Sequence, residues 1–276
     1  MTQTLTFQSL APAHLPDALR LSQAAGWPHR AEDWALTARI SKGAVALDGA
    51  RVVATALATD FGDAAMANMI IVDETMRGRG LGREIMQRAL ALADPQEWRL
   101  VATQSGLPLY RKLGFVETGF VHQHQGMLAE LAAPGDVRLA GAGDMDQIAA
   151  MDRAATGADR GALLAELAAA GQVALIEGAG FAVLRDFGRG QVVGPVIARD
   201  PQIAQRLISF LLAGKAGRFI RVDTPQDIGA DDPVSGWLQQ IGLARVDTGI
   251  AMRRGTLPAP TAKNFQRFAL AAQALG

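Results

Sequence analysis

The feature that most constrains this chain is an apolar strand followed by a glycine-rich turn and a helix. The strand ends in Ile70, Ile71 and Val72, and the turn and helix start consist of Arg77, Gly78, Arg79, Gly80, Leu81, Gly82 and Arg83. Glycines allow successive backbone N–H groups to converge, and a helix N-terminus adds unpaired donors and the positive end of its dipole. Three arginines add positive charge. The segment therefore predicts a site for an anion such as a pyrophosphate.

Two other glycine-rich nucleotide-binding turns do not fit this segment. A dinucleotide-binding turn requires glycine where Arg83 stands and an acidic residue about 20 positions later, where the chain has Val101 and Ala102. A Walker A loop requires Gly-Lys-Ser or Gly-Lys-Thr, which does not follow the turn. Glycine spacing alone leaves a tight turn with exposed arginines as the alternative.

The hydrophobic pattern predicts an α/β unit up to about residue 128, in the order β-α-α-β-β-β-α-β-α-β-β. Asp48-Gly49 predicts a hairpin, a helix is expected over about 81–93, and a closing pair of strands is expected near 115–128. Because hairpins alternate with crossovers, this order favours a mixed α/β sheet over a doubly wound one.

A second unit of similar order follows a linker at Ala132-Ala133-Pro134-Gly135. Leu113-Gly114-Phe115 near the end of the first unit is matched by Ile241-Gly242-Leu243 in the second, which indicates a tandem duplication. We therefore predict domains over residues 1–132 and 136–255 and a helical tail over 256–276. An apolar stripe at helical spacing predicts that this tail docks on the protein, and the stripe consists of Phe265, Phe268, Ala269, Ala272 and Leu275.

Composition excludes several classes of function. Lysine plus arginine and aspartate plus glutamate number 27 each, so the charge balance argues against a nucleic-acid partner. Cysteine is absent, which excludes disulfides, thiolate metal sites and a cysteine nucleophile. His122 and His124 share one strand face without further ligands nearby, so no metal is expected. With neither a secretory signal pattern nor a membrane-length apolar stretch, we expect a cytoplasmic protein without a membrane partner.

At this point the chain resembles the GNAT-type N-acetyltransferases. Their signature, Arg/Gln-x-x-Gly-x-Gly/Ala, is met by Arg77, Gly80 and Gly82, and a second element, Tyr-x-x-Leu-Gly-Phe, is met by the segment from Tyr110 to Phe115. The resemblance covers about residues 4–130, and residues 137–254 resemble a degenerate second domain of the tandem members. It implies two tandem GNAT-like domains, each a mixed, mostly antiparallel sheet flanked by helices.

The resemblance also implies an activity and a set of site residues. Acetyl-CoA would donate its acetyl group to a primary amine of a small molecule or peptide. Backbone N–H groups around Ile71 and Val72 would hold the cofactor arm, and Tyr110 would be the general acid. Many members carry an asparagine where this chain has Thr103, so Thr103 or Ser105 would replace it, or the contact is absent. Without cysteine, direct transfer in a ternary complex is expected.

Several questions stay open at this stage. The general base, the acceptor and the oligomeric state are not specified by the sequence. Transfer of another acyl group and a regulatory module that binds acetyl-CoA without turnover are the alternative functions. Trp27, His29 and Trp34 lie where the family builds its acceptor pocket, although aromatic residues at a helix junction also suit a core. Asp60 and Asp63 could attract an amine or belong to a solvated loop.

The second unit lacks the features of a catalytic site. Its counterpart of the glycine turn, residues 196–204, contains no glycine, and Pro201 removes a backbone donor. Asp200 places a negative charge where a pyrophosphate would lie, and Leu238 stands in the position of Tyr110. We therefore expect one acetyl-CoA per chain, with the second unit supporting the first and contributing to the wall of its acceptor pocket.

Overall fold

A computed structural model describes residues 5–257 and 264–276 of this chain. The strands of the first half are β1 (Thr6–Ser9), β2 (Lys42–Asp48), β3 (Arg51–Phe61), β4 (Ala64–Val72), β5 (Glu97–Ala102) and β6 (Val116–Met127). Its helices are α1 (Leu15–Ala24), α2 (Ala31–Arg39), α3 (Leu81–Leu90) and α4 (Leu107–Lys112). The helix expected after the glycine turn is confirmed.

The second half repeats this order of elements. Its strands are β7 (Arg138–Leu139), β8 (Gly171–Ile176), β9 (Gly180–Phe187), β10 (Gly190–Ala198), β11 (Phe219–Asp227) and β12 (Ala244–Gly255), followed by β13 (Gln266–Ala269) in the tail. Its helices are α5 (Met145–Thr156), α6 (Gly161–Ala170), α7 (Pro201–Leu212) and α8 (Ser235–Gln240). In the described part of the chain, no helix has both the length and the apolar character that a membrane crossing requires.

All of these strands belong to one mixed sheet. The described residues form 13 strands, in the order β1-β2-β3-β4-β5-β12-β6-β11-β10-β9-β8-β7, with β13 paired to β10. The pairs β4–β5 and β10–β11 are parallel, whereas the other pairs are antiparallel. The predicted mixed, mostly antiparallel arrangement flanked by helices is therefore confirmed, but the two halves share one continuous sheet instead of having one each.

The two halves exchange their closing strands. Strand β12 lies between β5 and β6, with Ile250 opposite Ala102, and β6 pairs with β11, with His124 opposite Val222. The predicted closing pair of strands near 115–128 is wrong, because this segment is one continuous strand of 12 residues. Gly119 lies within this strand, and its missing Cβ leaves room for the carbonyl of Gln226 on β11. The partner strand comes from the other half of the chain.

The tail is a strand where the sequence predicted a helix. Strand β13 pairs antiparallel with β10, and the rest of the tail is not helical where the structure describes it. Residues 258–263 of the predicted helix lie outside the described residues. An open edge of β10 offers unpaired backbone groups, and pairing with them outweighs the helical spacing of the apolar residues. Docking of the tail is confirmed, since Phe268, Ala269, Ala272 and Leu275 are buried.

Amphipathic helices cover the sheet in both halves. Helix α3 buries Leu81, Ile85 and Ala89 against β2 and β3. Helix α7 buries Leu207, Ile208 and Leu211 against residues of β9 and β10. Burying a leucine or isoleucine side chain contributes about 1.5–3 kcal/mol, so these faces hold the helices on the sheet. The packing of α3 fixes its N-terminus beside the end of β4.

Candidate active site

Two residues of the glycine turn adopt a backbone conformation that favours glycine. Gly78 and Gly80 have φ angles of 77° and 80°, in the left-handed region, and Gly80 is the residue that precedes α3. A Cβ on Gly82 would lie 3.5 Å from Leu109 and 3.7 Å from Val72, so a larger side chain would crowd this surface. The side chains of the three arginines are exposed, whereas the side chain of Leu81 is buried in the core and leaves only its backbone for a ligand.

Asp73 closes the turn rather than facing a ligand. Its carboxylate accepts hydrogen bonds from the backbone N–H and the hydroxyl of Thr75, and it pairs with Arg51 at 2.7 Å and Arg20 at 3.5 Å. Burial alone would raise the pKa of Asp73, but the Thr75 hydrogen bonds and the two arginines outweigh it, so its pKa is lowered. The carboxylate is therefore ionised and already neutralised by its own partners.

Strands β4 and β5 separate beside the glycine turn. They pair only from Ala64 to Met66 on β4, and the last pair joins Met66 and Arg99. At Met69, φ is 47° and the register with β3 shifts, while the Thr55 hydroxyl donates to the Met69 carbonyl at 2.7 Å. Such a conformation at a residue other than glycine costs free energy and clusters at functional sites. The predicted arm-binding residues Ile70, Ile71 and Val72 follow this irregularity directly.

A cavity of about 260 Å³ opens where these strands separate. The first half contributes the loop before α2, the middle of β4, the end of β5 and Tyr110. The second half contributes Phe187, Arg189, Phe219, Arg221 and Asp247, and the tail contributes Ala272, Gln273 and Ala274. The cavity is therefore built by both halves of the chain.

Tyr110 lies in α4 and lines this cavity. The residue is 7% exposed, its ring packs edge-on against Phe115, and a Cβ on Gly106 would approach the ring to 2.7 Å. Burial raises the pKa of the Tyr110 phenol to about 12. The hydroxyl therefore keeps its proton at neutral pH, as a proton donor requires.

Thr103 and Ser105 lie together at the end of β5. Their hydroxyls are 3.1 Å apart, and the Thr103 hydroxyl accepts a hydrogen bond from the backbone N–H of Gly106 at 3.3 Å. Both side chains are exposed, and Thr103 lines the cavity. The structure thus brings Thr103 to the site with Ser105 as its neighbour, and a contact with a cofactor stays a prediction for both.

Known proteins share this architecture and sequence. Residues 40–117 and residues 148–266 each match a family model of an acetyltransferase (GNAT) domain. The chain is 30% identical over 232 residues to YitH, an uncharacterized N-acetyltransferase of Bacillus subtilis (strain 168), across 78% of this chain and 80% of YitH. This chain belongs to the GNAT acetyltransferase family. The resemblance inferred from its two motifs is confirmed.

Solved structures show the same tandem GNAT fold. A candidate acetyltransferase from Pyrococcus horikoshii superposes with a TM-score of 0.84 at 18% identity, over 100% of this chain and 97% of that one. A tandem GNAT protein from the clavulanic acid biosynthesis pathway gives a TM-score of 0.65 at 14% identity, over 92% and 99% of the two chains. The family transfers acyl groups, and GNAT domains typically use acetyl-CoA.

Two polar residues of this GNAT site were not assigned from the sequence. Asn68 was not singled out, and His29 was left open between the acceptor pocket and the core. Asn68 is 4% exposed and donates to Thr59 at 2.8 Å, and its Oδ1 is buried without a hydrogen-bond partner among the residues that the structure describes. The Nδ1 atom of His29 is likewise buried and has no hydrogen-bond partner among the described residues. Both residues line the cavity. A usable signal was present for Asn68, which is the one polar residue of the run from Ala64 to Val72.

His29 is neutral in this environment. Burial lowers the pKa of its imidazole to about 4; the charges of Arg221 and Arg185 act in the same direction, whereas Asp33 opposes them. Trp27 also lines the cavity, but Trp34 is fully buried and donates its indole N–H to Ser22 at 3.0 Å, as a core residue does. His29 and Trp27 therefore belong to the site and Trp34 to its support.

The other candidates from the sequence lie outside the cavity. Asp60 accepts from the backbone N–H of Gly62 and Asp63 accepts from Gln96, as expected for a hairpin loop. His122 contacts Thr248 at 3.0 Å and Gln226 at 2.6 Å. No cluster of three or more His, Cys, Asp or Glu side chains suited to a metal occurs within residues 5–257 and 264–276.

The second GNAT half differs from the first at the positions that correspond to the glycine turn and to Tyr110. Asp200 accepts a hydrogen bond from the backbone N–H of Ile203 at 2.8 Å and thereby caps α7, with Pro201 in the first helical position. Leu238, in the position of Tyr110, is fully buried in the core. Each of these residues therefore has a structural role, and the absence of a second catalytic site stays a prediction.

Proposed function

We propose that the first half transfers an acetyl group from acetyl-CoA directly to a primary amine held in the cavity. The observation that carries this proposal is the opening between β4 and β5, which has the glycine turn at one end and Tyr110 on its wall. Exposed arginines and the N-terminus of α3 form a cradle whose donors suit a pyrophosphate. The residues present therefore fit acetyl-CoA.

When bound, acetyl-CoA would supply the acetyl group as an activated thioester. Arg77, Arg79 and Arg83 would hold the phosphates, and backbone groups of Ile70, Ile71 and Val72 would orient the arm along the free edge of β4. Tyr110 lines the cavity with a phenol that is protonated at neutral pH, and it would donate that proton to the leaving sulfur.

Two residues that line the cavity, Asn68 and His29, each have a buried acceptor atom without a hydrogen-bond partner among the described residues. Asn68 Oδ1 is fixed as an acceptor because the amide nitrogen donates to Thr59 and contacts the Met66 carbonyl at 3.4 Å. Neutral His29 can accept a hydrogen bond through Nδ1, because its pKa of about 4 keeps the imidazole unprotonated at neutral pH. A primary amine carries the donors that these two buried atoms lack, which supports an amine as the acceptor.

Thiol release by the full-length protein tests this function. Acetyl-CoA is mixed with polyamines, aminoglycosides, amino acids or peptides, and free CoA is measured with a thiol reagent; at least one amine should accelerate release. Propionyl-CoA and longer acyl-CoA thioesters, tested beside it, decide which acyl group is used. Binding of acetyl-CoA without thiol release for any amine would favour a regulatory module instead.

A matched pair of glycine variants tests the cofactor cradle. Gly80→Ala places a methyl group where the phosphates would approach the backbone, and Gly62→Ala makes the same change at a φ of 79° in the β3–β4 turn. Calorimetry should show at least a tenfold weaker affinity for acetyl-CoA in Gly80→Ala, about 1.4 kcal/mol, and wild-type affinity in Gly62→Ala. Equal affinities in the two variants would remove the cradle from the proposal.

A further inference from the structure

We propose that the tail, residues 264–276, selects the acceptor amine: Gln273 and Ala274 limit the width of the acceptor cavity, and the second half anchors them there. This inference rests on the proposed function. The tail crosses the second half between β10 and β11 and then reaches the cavity beside β4 and β5.

The tail fills an opening in the second half that matches the one in the first. Strands β10 and β11 pair only at Gln191–Ile220 and Val192–Arg221. Beyond this point β13 pairs with β10, and the backbone N–H of Leu270 donates to the Asp223 carbonyl on β11 at 2.8 Å. The tail therefore bridges two separated parallel strands. In the first half, the corresponding opening between β4 and β5 is the proposed path of the cofactor arm.

Side chains and close backbone contacts hold the tail in this opening. Arg185 donates to the Ala271 carbonyl at 3.2 Å, and Arg160 donates to the Leu275 carbonyl at 3.4 Å. Arg160 is 3% exposed and is itself fixed by two hydrogen bonds to Asp152, at 2.6 and 2.9 Å. Gly194 has no Cβ, and any Cβ there would overlap the Leu270 carbonyl oxygen. The path of the tail is therefore tightly defined.

The anchored tail then enters the cavity of the first half. Ala272, Gln273 and Ala274 line the same cavity as Tyr110 and His29. Ala272 is buried, whereas Gln273 and Ala274 are half-buried and face open space in part. Gln273 Nε2 lies 3.5 Å from Asp223 Oδ1, which ties its side chain to β11. Because the tail is fixed on both sides, the size of these two side chains sets how wide an amine can be.

Two variants are expected to change the width of the acceptor cavity in opposite directions. Ala274→Leu adds volume to the cavity wall, and Gln273→Ala removes it. Ala129→Leu, at an exposed position outside the cavity lining, is the matched control. The probes are putrescine, benzylamine and tryptamine, which are primary amines of increasing width. The measured quantity is the ratio of kcat/KM for tryptamine to kcat/KM for putrescine, from thiol release by the full-length protein.

We expect Ala274→Leu to lower this ratio at least fivefold and Gln273→Ala to raise it, with wild-type acetyl-CoA affinity in both and a wild-type ratio in Ala129→Leu. Wild-type ratios in both tail variants would overturn the proposal. If wild-type protein releases no thiol with any amine, the proposed function fails on its own. The same ratio is then measured from amine dissociation constants by calorimetry, and unchanged ratios or no binding would overturn the tail assignment as well.

Discussion

The backbone N–H of Leu270 donates a hydrogen bond of 2.8 Å to the carbonyl oxygen of Asp223, which joins the tail to β11 as well as to β10. On the other side of Leu270, its carbonyl oxygen occupies space that only a glycine at position 194 can leave. The tail is thus held between two strands of the second half, while its residues 272–274 line the cavity beside β4 and β5 of the first half.

Gly194→Ala should release the tail from this position. The new Cβ would overlap the Leu270 carbonyl, so β13 must shift and lose hydrogen bonds to β10 and β11. We expect faster amide hydrogen exchange in residues 264–276, measured by mass spectrometry, and a lower melting temperature. Gly236→Ala is the control, because a Cβ at that position in α8 has no neighbour within 4 Å. Equal exchange in the two variants would contradict the close approach.

Tyr110→Phe should separate binding from turnover. The substitution keeps the ring that packs against Phe115 and removes only the hydroxyl. Acetyl-CoA affinity should stay near that of the wild type, whereas kcat with a working amine should fall by roughly 10²-fold or more. Steady-state thiol release and calorimetry measure the two quantities. A wild-type kcat would show that the sulfur leaves without a proton from this residue.

His29 should make the protein less stable as the pH falls from about 6.5 to about 4. The pKa of its imidazole is near 4 in the folded state and at its ordinary value of 6.5 in the unfolded chain, so only the unfolded state gains this proton in that window. The free energy of unfolding should therefore fall by up to about 1.4 kcal/mol per pH unit from this residue alone.

Urea unfolding at a series of pH values measures this effect. The variant His29→Gln should lose less stability between pH 6.5 and pH 4 than the wild type, because glutamine does not titrate. Carboxylates titrate in both proteins, so the difference between the two curves isolates His29. Parallel curves would mean that the imidazole is protonated as easily in the folded state as in the unfolded one.

Acetyl-CoA should bind the full chain with a stoichiometry of one. In the second half, the carboxylate of Asp200 caps the N-terminus of α7, and β13 fills the opening between β10 and β11. Titration calorimetry on the full-length protein gives the number of sites. The variant Gly80→Ala should weaken this single site without revealing another, and a stoichiometry near two would refute the assignment.

The sequence predicted the parts of the site that depend on local chemistry. The glycine turn and the N-terminus of α3 follow from spacing along one continuous segment, and the placement of Tyr110 in the site was implied by the family resemblance. Asp200 as a helix cap also follows from its place before Pro201. The roles of the predicted site residues toward acetyl-CoA, and the domain boundaries at 132, 136 and 255, stay predictions.

The sequence did not predict features that depend on long-range pairing. The pattern of β6 is the same whether its neighbour is β5 or β11, so hydrophobic spacing carries no information about the exchange. The stripe from Phe265 to Leu275 fits a helix, but the open edge of β10 made a strand more stable. Asn68 was recognisable as the one polar residue of its strand, and His29 was left open between the acceptor pocket and the core; the buried atom without a hydrogen-bond partner in each of them depends on tertiary packing and needed the structure.

The exchanged strands have a consequence for biosynthesis. Strand β5 ends at Ala102, but its partner β12 exists only after the ribosome has added residues up to about Gly255. Until then the nascent first half has an open strand edge, and such edges are prone to misassembly. Neither half can complete its part of the sheet alone, because its closing strand pairs with strands of the other half. Recombination that separated the two coding segments would therefore leave the last strand of each product without its partner.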